Sequence, residues 1–446
     1  MTVAEKIADF AIDTGYKHIP ENVKKLAKRA LIDYVGVTYI GGAAEESDII
    51  KKYVQGKPQN DECKAIGLDG YYSMEDAALM NGFFSHVLDY DDASLVGHPS
   101  AVLMSTCFAA GETMSITGKE LMTAYILGYE VELQLADILM PMLTSNGWHG
   151  TPVFGSIGAA VSTSRIFKLP KDQFVNAIGL AATMASGHME NFGTTAKPFH
   201  AGMAASNGIK AAKLAKAGLA AADTSIEGKC GYARLFAHTE IRQEAVEFGT
   251  RWKLFLQDLL LKKYPCCSAS HTALNGIEEI RDEYSISYKD VKKIVVGVPK
   301  FTLINLIHPE PKNANEARFS MNYALATLLV TGKFDVDSFS EKALYNPEVR
   351  ALMKRIEMKE GKDFQDTPYI DNEPAVIDLY TYGQEYYHKR IDFSKGTTVN
   401  PLTDEELEEK FFSCLGGRNE RNRKILEGLM DIEDIPDVRF FLGTVM

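Results

Sequence analysis

Four short segments of this 446-residue chain place histidines beside groups that handle protons or anions. The first, residues 86–100, has His98 near its end, preceded by three aspartates: Asp89, Asp91 and Asp92. A loop histidine beside carboxylates is a candidate general acid or base, and Asp89 or Asp91 is expected to fix its tautomer. Ser100 is expected to cap a helix that starts at Ala101, which leaves His98 in the preceding loop. The alternative is a capped helix beside a solvated acidic loop.

The second segment, residues 146–158, places His149 after Trp148 in a glycine-bounded loop before a predicted helix. Backbone N–H groups at such a helix start can meet an anion. The segment has neither a Gly-Lys-Ser/Thr ending nor a GxGxxG pattern, which argues against nucleotide phosphate binding. The alternative is that His149 only packs against Trp148.

The third segment contains Lys197, which precedes a proline and is therefore expected in extended backbone before a helix from about Ala201. A lysine there can act as a point charge for a carboxylate, or as a base if burial lowers its pKa. The alternative is an ordinary solvated lysine. His200 is either its partner or a packing residue at the helix start, and packing is favoured.

The fourth segment carries the vicinal Cys266 and Cys267 before His271. A metal site and a Cys–His nucleophile pair are both conceivable, and we favour neither. Vicinal thiols do not easily ligate one ion together, and no other Cys/His pair offers matching ligand spacing.

The elements that must position these residues change along the chain. Up to about residue 260, apolar residues recur at three- and four-residue steps with many Ala and Gly, which predicts closely packed helices. Near residue 290 and again within 374–387, runs of β-branched and aromatic residues predict strands, with helices between them. From Asp404 the pattern is helical again, with Thr403 as the cap. The prediction is a mainly α protein: a large helical domain (residues 1–265 and 396–446) with an inserted α+β domain (266–395).

Composition narrows the function classes. The net charge is −12, from 48 Lys+Arg and 60 Asp+Glu, which disfavours nucleic-acid and anionic-membrane partners. The six cysteines form no CxxC pair, no apolar run reaches about 18 residues, and the first residues lack a signal-peptide core. We therefore expect a cytoplasmic protein without a membrane segment.

Taken in order, these segments resemble the 2-methylcitrate dehydratase (MmgE/PrpD) family, which also includes cis-aconitate decarboxylase and iminodisuccinate epimerase. The resemblance covers nearly the whole chain. The series of sequence motifs in this order is specific for the family, although no single motif would be. The matching phrases are His86-x-Leu-Asp-Tyr-Asp-Asp with His98-Pro-Ser, Gly147-Trp-His149 with Phe154-Gly, Lys197-Pro-x-His200-Ala-Gly, Tyr264-Pro-Cys-Cys with His271, Ala317-Arg-x-Ser-x-x-Tyr323, and Asn400-Pro-Leu-Thr-Asp.

The resemblance implies a helical domain with an α+β lid, a site between them, homodimers, and catalysis without metal or organic cofactor. The family commonly has Thr after the Asp-Asp pair, whereas this chain has Ala93 followed by Ser94. The expected catalytic residues are His98, His149, Lys197, His271 and Tyr323. The expected substrate-binding or orienting residues are Asp89, Asp91, Ser94 and His200.

The expected function is a lyase for a small di- or tricarboxylate, acting as a 2-methylcitrate dehydratase. Lys197, with protonated His149 or His271, would hold carboxylates and stabilise a carbanion, and Tyr323 would donate a proton. Alternatives are a cis-aconitate decarboxylase, an iminodisuccinate epimerase using the same acid/base site, and a non-catalytic binding or scaffold dimer.

Overall fold

The computed structural model describes residues 1–55, 62–242, 246–250, 252–253, 259–365 and 373–445. The expected mainly α fold is confirmed, since helices dominate and the described strands form one four-stranded sheet. Among the described residues, no helix combines the length and apolarity needed to cross a membrane.

The helical region is built from residues before 262 together with residues after 396. Its helices, numbered over the described residues, are α1 (Val3–Asp13), α2 (Glu21–Gly42), α3 (Asp48–Gln55), α4 (Met74–His86), α5 (Pro99–Met114), α6 (Gly118–Leu139), α7 (Met142–Ser145), α8 (Gly150–Ile166), α9 (Lys171–Met184), α10 (Ala196–Lys216) and α11 (Tyr232–Ala237). The chain returns to this region after residue 396, where Thr403 caps the next helix as predicted.

The α+β region lies between these two parts, from Tyr264 to Phe393. Its helices are α12 (His271–Tyr284), α13 (Lys300–Asn305), α14 (Ala314–Ala317), α15 (Met321–Thr331), α16 (Glu341–Leu344) and α17 (Pro347–Met353). Its strands are β1 (Val291–Val298), β2 (Ile356–Glu360), β3 (Ala375–Thr381) and β4 (Tyr386–Ile391). The sheet order is β2-β1-β3-β4, with β1 and β2 parallel and the other pairs antiparallel. The C-terminal helices of the helical region are α18 (Asp404–Cys414), α19 (Glu420–Met430) and α20 (Val438–Val445).

Two separate clusters of buried apolar side chains lie under this architecture. One joins helices of the first 261 residues to the C-terminal helices, with Leu407 and Phe411 of α18 in the same cluster as Val35 of α2. The other runs from Tyr264 to Leu379 beneath the sheet. The chain therefore buries one core at its two ends and a second core between them.

Two predicted helix starts differ from the structure. Helix α5 begins at Pro99 with His98 as its N-cap residue, and α10 begins at Ala196, so that Lys197 is helical. Proline is tolerated in the first turn because the N–H that it lacks has no partner in a helix there. The rule that a residue before proline is extended therefore gave the wrong conformation for Lys197.

Candidate active site

A cavity of about 370 Å³ lies between the helical region and the α+β region. The helical region contributes Asp89, His98, His149 and Lys197 to its wall. The α+β region contributes the facing residues, which include Cys267, Ser268, Asn305, Phe319 and Glu373. The segment at 394–399 closes one side.

Lys197 is the centre of the polar wall. Its Nζ lies 2.7 Å from Asp89 Oδ1, 3.0 Å from His86 Nε2 and 3.4 Å from His98 Nε2. An ammonium has three N–H donors, so these three acceptors saturate it. Both flanking histidines must then present a lone pair at Nε2, which requires the tautomer protonated at Nδ1.

Asp91 fixes that tautomer from behind the wall. Its carboxylate oxygens lie 2.9 and 3.0 Å from His86 Nδ1, and Oδ2 lies 3.2 Å from His98 Nδ1. The backbone carbonyl of Asp92 also accepts from His98 Nδ1, at 2.9 Å. Burial alone would raise the pKa of Asp91, but the two histidines hold that pKa well below its usual range. The predicted orienting role of Asp91 fits this geometry, whereas Asp89 lies on the Nε2 side of His98, 3.8 Å away.

Close helix packing brings these groups together. At the crossing of α4 and α10, a Cβ on Gly82 would lie 2.7 Å from the Cα of Gly202. Only residues without a Cβ permit this approach. The crossing places His86, at the end of α4, against Lys197, in the first turn of α10, although 111 residues separate them in sequence.

Three long helices begin at the cavity. His98 is the N-cap of α5, His149 is the N-cap of α8, and Lys197 is the second residue of α10. The start of a helix carries unpaired N–H groups and the positive end of its dipole. The helical wall therefore favours anions through its backbone as well as through Lys197.

The histidines of the site are neutral. Burial lowers the pKa of His98, and burial together with Lys197 lowers that of His149 well below its ordinary value. Burial also lowers the pKa of His271 to about 3. These lowered pKa values oppose the expected protonation of His149 and His271, because an apolar surrounding and a nearby lysine both disfavour a second positive charge.

His149 pairs with His200 rather than with an acid. The two Nδ1 atoms lie 3.1 Å apart, and His149 also packs edge-on against Phe192 with ring centres 4.9 Å apart. His149 lines the cavity, and His200 supports it from behind. Burial lowers the pKa of His200 to about 4.

Lys262 is a second buried lysine that the sequence analysis did not select. Its Nζ donates to the Asp89 carbonyl at 2.8 Å and lies 3.3 Å from Asp89 Oδ1. Burial would lower its pKa, but Asp89 raises it, so the amine keeps its charge. Lys410 of α18 supports it in turn, because Lys410 Nζ donates to the Lys262 carbonyl at 2.8 Å and pairs with Asp33 at 2.6 Å.

Asp89 joins the two lysines. Burial would raise its pKa, but Lys197 and Lys262 hold it well below the usual range. Oδ1 takes both contacts, and among the described residues the buried Oδ2 has no hydrogen-bond partner. Ala93, which stands where the family commonly has Thr, also lines the cavity, as does the following Ser94.

Two of the expected catalytic residues lie away from the cavity wall. His271 is fully buried, with Nε2 3.3 Å from the Cys266 carbonyl and Nδ1 unpartnered among the described residues. Tyr323 is buried in the α+β core, and its hydroxyl donates to the Ser338 carbonyl. The catalytic roles of both residues stay predictions.

The cysteines show no activated thiol. Burial raises the pKa of Cys266 to about 12, and burial also raises that of Cys267, which faces the cavity. A thiol is a nucleophile or a metal ligand only as the thiolate. The raised pKa values of Cys266 and Cys267 therefore argue against a Cys–His nucleophile pair and against a thiolate metal site at this segment.

Four buried donors, His86, Asp89, Asp91 and His98, lie within 4.8 Å of one another and have the types of a metal site. The Lys197 ammonium already lies against three of them. A divalent ion among these donors would repel the ammonium at close range. In this fold three of the four donors therefore contact the Lys197 ammonium, an arrangement that does not fit a divalent metal ion at the same place.

Comparison with protein families agrees with this arrangement. The model of the MmgE/PrpD N-terminal domain matches residues 5–244, and that of the MmgE/PrpD C-terminal domain matches residues 264–432. The chain belongs to the MmgE/PrpD family. The boundary between the two models falls where the chain leaves the helical region for the α+β region.

Curated relatives of this MmgE/PrpD protein match it almost end to end. A cis-aconitate decarboxylase from Homo sapiens is 27% identical over 438 residues, covering 94% of this chain and 89% of the relative. The cis-aconitate decarboxylase of Mus musculus is 25% identical, over 92% of this chain and 86% of the relative. That of Aspergillus terreus is 24% identical, over 97% and 92%.

Proposed function

We propose that this MmgE/PrpD protein is a lyase that removes CO2 from a small unsaturated tricarboxylate, with cis-aconitate as the first substrate to test. The observation that carries the proposal is the convergence of Lys197 and three helix starts on one cavity lined by neutral histidines. The activity named for the matched relatives favours decarboxylation over the dehydration expected from sequence.

The chemistry requires stabilisation of negative charge. When a C–C bond to a carboxylate breaks and CO2 leaves, the electron pair stays on the carbon skeleton as a carbanion. Fixed positive groups beside that position lower its energy more than water does. Lys197 and the helix starts supply such groups without a metal ion.

Neutral His98 supplies a movable proton or lone pair. Its Nδ1–H is held by Asp92 and Asp91, and its Nε2 is held at 3.4 Å by Lys197, the longest of the three lysine contacts. A substrate carboxylate that draws Lys197 away frees His98 Nε2 to accept a proton. Dehydration of a hydroxylated substrate would use the same two residues, Lys197 and His98. The products therefore have to be identified to tell the two reactions apart.

Proton NMR in D2O tests the proposal with cis-aconitate, 2-methylcitrate, citrate and iminodisuccinate as separate substrates. New vinyl signals from cis-aconitate with an equimolar yield of CO2 are expected. Dehydration instead of decarboxylation would be indicated, without CO2, by a vinyl signal from citrate or by loss of the methine signal of 2-methylcitrate with collapse of its methyl doublet to a singlet. Deuterium uptake without net conversion would indicate epimerisation. No change with any of the four would overturn the lyase proposal.

Lys197→Met tests whether the lysine carries the chemistry. Removing the charge should lower kcat/KM by at least about 100-fold, because the carbanion loses its main electrostatic partner. Lys210→Met is the matched control, since Lys210 is exposed on the same helix. Equal activity of the two variants would contradict the assignment.

A further inference from the structure

We propose that Glu373 is the acid that protonates the carbanion, acting from the α+β wall of the cavity that Lys197 also lines. This inference rests on the proposed decarboxylation and adds a catalytic residue to it. Neither the motif phrases nor the residues selected from sequence include Glu373.

The position of Glu373 is the first support. Glu373 lines the same cavity as His98, His149 and Lys197, but it belongs to the facing α+β region. The helical wall presents Lys197 paired with Asp89 together with the helix starts, whereas the α+β wall presents the Glu373 carboxyl group. A substrate held by its carboxylates against the helical wall would turn its carbon skeleton towards Glu373.

The backbone holds Glu373 in a conformation that ordinary residues avoid. Its φ is 45°, in the left-handed region, where the Cβ of a non-glycine residue crowds the following carbonyl oxygen. The Thr272 hydroxyl of α12 donates to its carbonyl at 2.6 Å and fixes that conformation. Asp89, the other carboxyl residue on the cavity wall among the described residues, is also left-handed, with a φ of 51°. Such strain collects where a side chain must face a site.

The surroundings keep the carboxyl group able to donate. Burial raises the pKa of Glu373 to about 7, while Ser268 and Asn305 oppose the rise through hydrogen bonds. The charged groups acting on it are Lys262, which lowers the pKa, and Asp89, which raises it. The Cys267 thiol is the other titratable group beside it. A bound polycarboxylate adds negative charge and raises the pKa further, so the acid form prevails in the complex.

The proton step balances without an oxidant or reductant. The C–C bond to the departing carboxylate breaks, CO2 leaves, and the electron pair spreads over the allylic carbons. The Oε–H bond of Glu373 then breaks, and its proton forms the new C–H bond. The Glu373 carboxylate regains a proton from water, so that each turnover consumes one proton.

The test compares three full-length variants with cis-aconitate over a range of pH. Glu373→Gln keeps the size but cannot donate an acidic proton, and its kcat should fall by about 100-fold or more with a smaller change in KM. Glu373→Asp keeps an acid at a longer reach and should recover part of kcat. Glu310→Gln, at an exposed position of the α+β region, should behave as wild type.

The pH profile separates a proton donor from a structural residue. Because the acid form is needed, kcat/KM of wild type should fall as pH rises through about 7. Glu373→Asp should keep a falling limb, and Glu373→Gln should lose it. If wild type releases CO2 and Glu373→Gln keeps both kcat and the fall of kcat/KM at high pH, the role of Glu373 is wrong while the proposed decarboxylation stands. If wild type releases no CO2, the proposed function fails and the inference fails with it.

Discussion

Asp92 is a carboxyl group that the fold keeps protonated beside the site. Burial raises its pKa to about 8, and repulsion from Asp91 and Asp33 adds to the rise, while hydrogen bonds from Ser100 oppose it. Its backbone carbonyl holds His98, and the Ser100 hydroxyl that contacts its side chain also contacts Tyr125 at 2.8 Å. A neutral acid here avoids a third carboxylate charge behind Lys197.

The titration of Asp92 predicts a pH-dependent stability. An unfolded Asp loses its proton near pH 4, and the folded one near 8. Between these values the folded state binds one more proton, so the free energy of unfolding should fall as pH rises, by up to about 1.4 kcal/mol per unit. Asp92→Asn should lack this decline in urea denaturation at pH 5, 6.5 and 8.

The control for this prediction is Asp223→Asn, since Asp223 is exposed. Its denaturation curves should follow those of wild type at each pH. Parallel pH dependence of wild type and Asp92→Asn would show that Asp92 is ionised in the folded protein.

Residue types in the sequence predicted some of the polar residues around the cavity and missed others. His98, His149 and Lys197 were selectable because each stands in a polar or glycine-rich phrase near a predicted helix start. Lys262 gave a weaker signal, a lysine directly after the apolar run at 259–261. Glu373 gave no signal, because a glutamate between Asn and Pro is typical of a surface turn, and only the fold brings it to the cavity that Lys197 lines.

At the scale of elements, small residues predicted close helices but not which helices meet. The crossing of α4 and α10 depends on Gly82 and Gly202, which are 120 positions apart. Helix periodicity is a local signal, whereas a crossing depends on pairing across the whole chain. Likewise, the predicted strand segment at 374–387 proved to contain β3 and the start of β4, joined by a turn.

Gly202→Ala should disturb both stability and catalysis. A Cβ at this position would lie 2.2 Å from the backbone carbonyl oxygen of Leu79, so α10 must move away from α4. Overpacking of this kind costs about 1–3 kcal/mol, and the shift would stretch the contact between Lys197 and His86. Thermal unfolding and kcat measure the two effects, and Lys210→Ala on the exposed face of α10 is the control. An unchanged kcat would contradict the prediction that the crossing of α4 and α10 positions Lys197 for catalysis.

At the scale of the whole molecule, the cavity is shared by two regions with separate cores. The net charge of −12 makes the surface as a whole unfavourable for a polyanion. From the sequence, Lys197 with protonated His149 or His271 was expected to hold the carboxylates. The structure instead offers two lysines against Asp89 and Asp91, with helix starts adding positive potential, because burial keeps the histidines neutral.

A saturated tricarboxylate that cannot react should slow hydrogen–deuterium exchange on both sides of the cavity, in the helical region and in the α+β region. Tricarballylate bound across the cavity would contact both regions and suppress their local opening. Hydrogen–deuterium exchange should slow around residues 147–151 and 192–198 of the helical region and around 267–272 of the α+β region. Protection confined to one wall would contradict binding between the regions.

The saturation of Lys197 has a consequence for which molecules the site accepts. The three internal partners of Lys197 are already in place, so any anion that binds Lys197 must compete with at least one of them. A monocarboxylate gains one contact by giving one up and has little net advantage. Under the proposed function, a tricarboxylate would displace one internal partner while its other two groups reach the helix starts of α5 and α8, so ligands with several negative groups would be favoured.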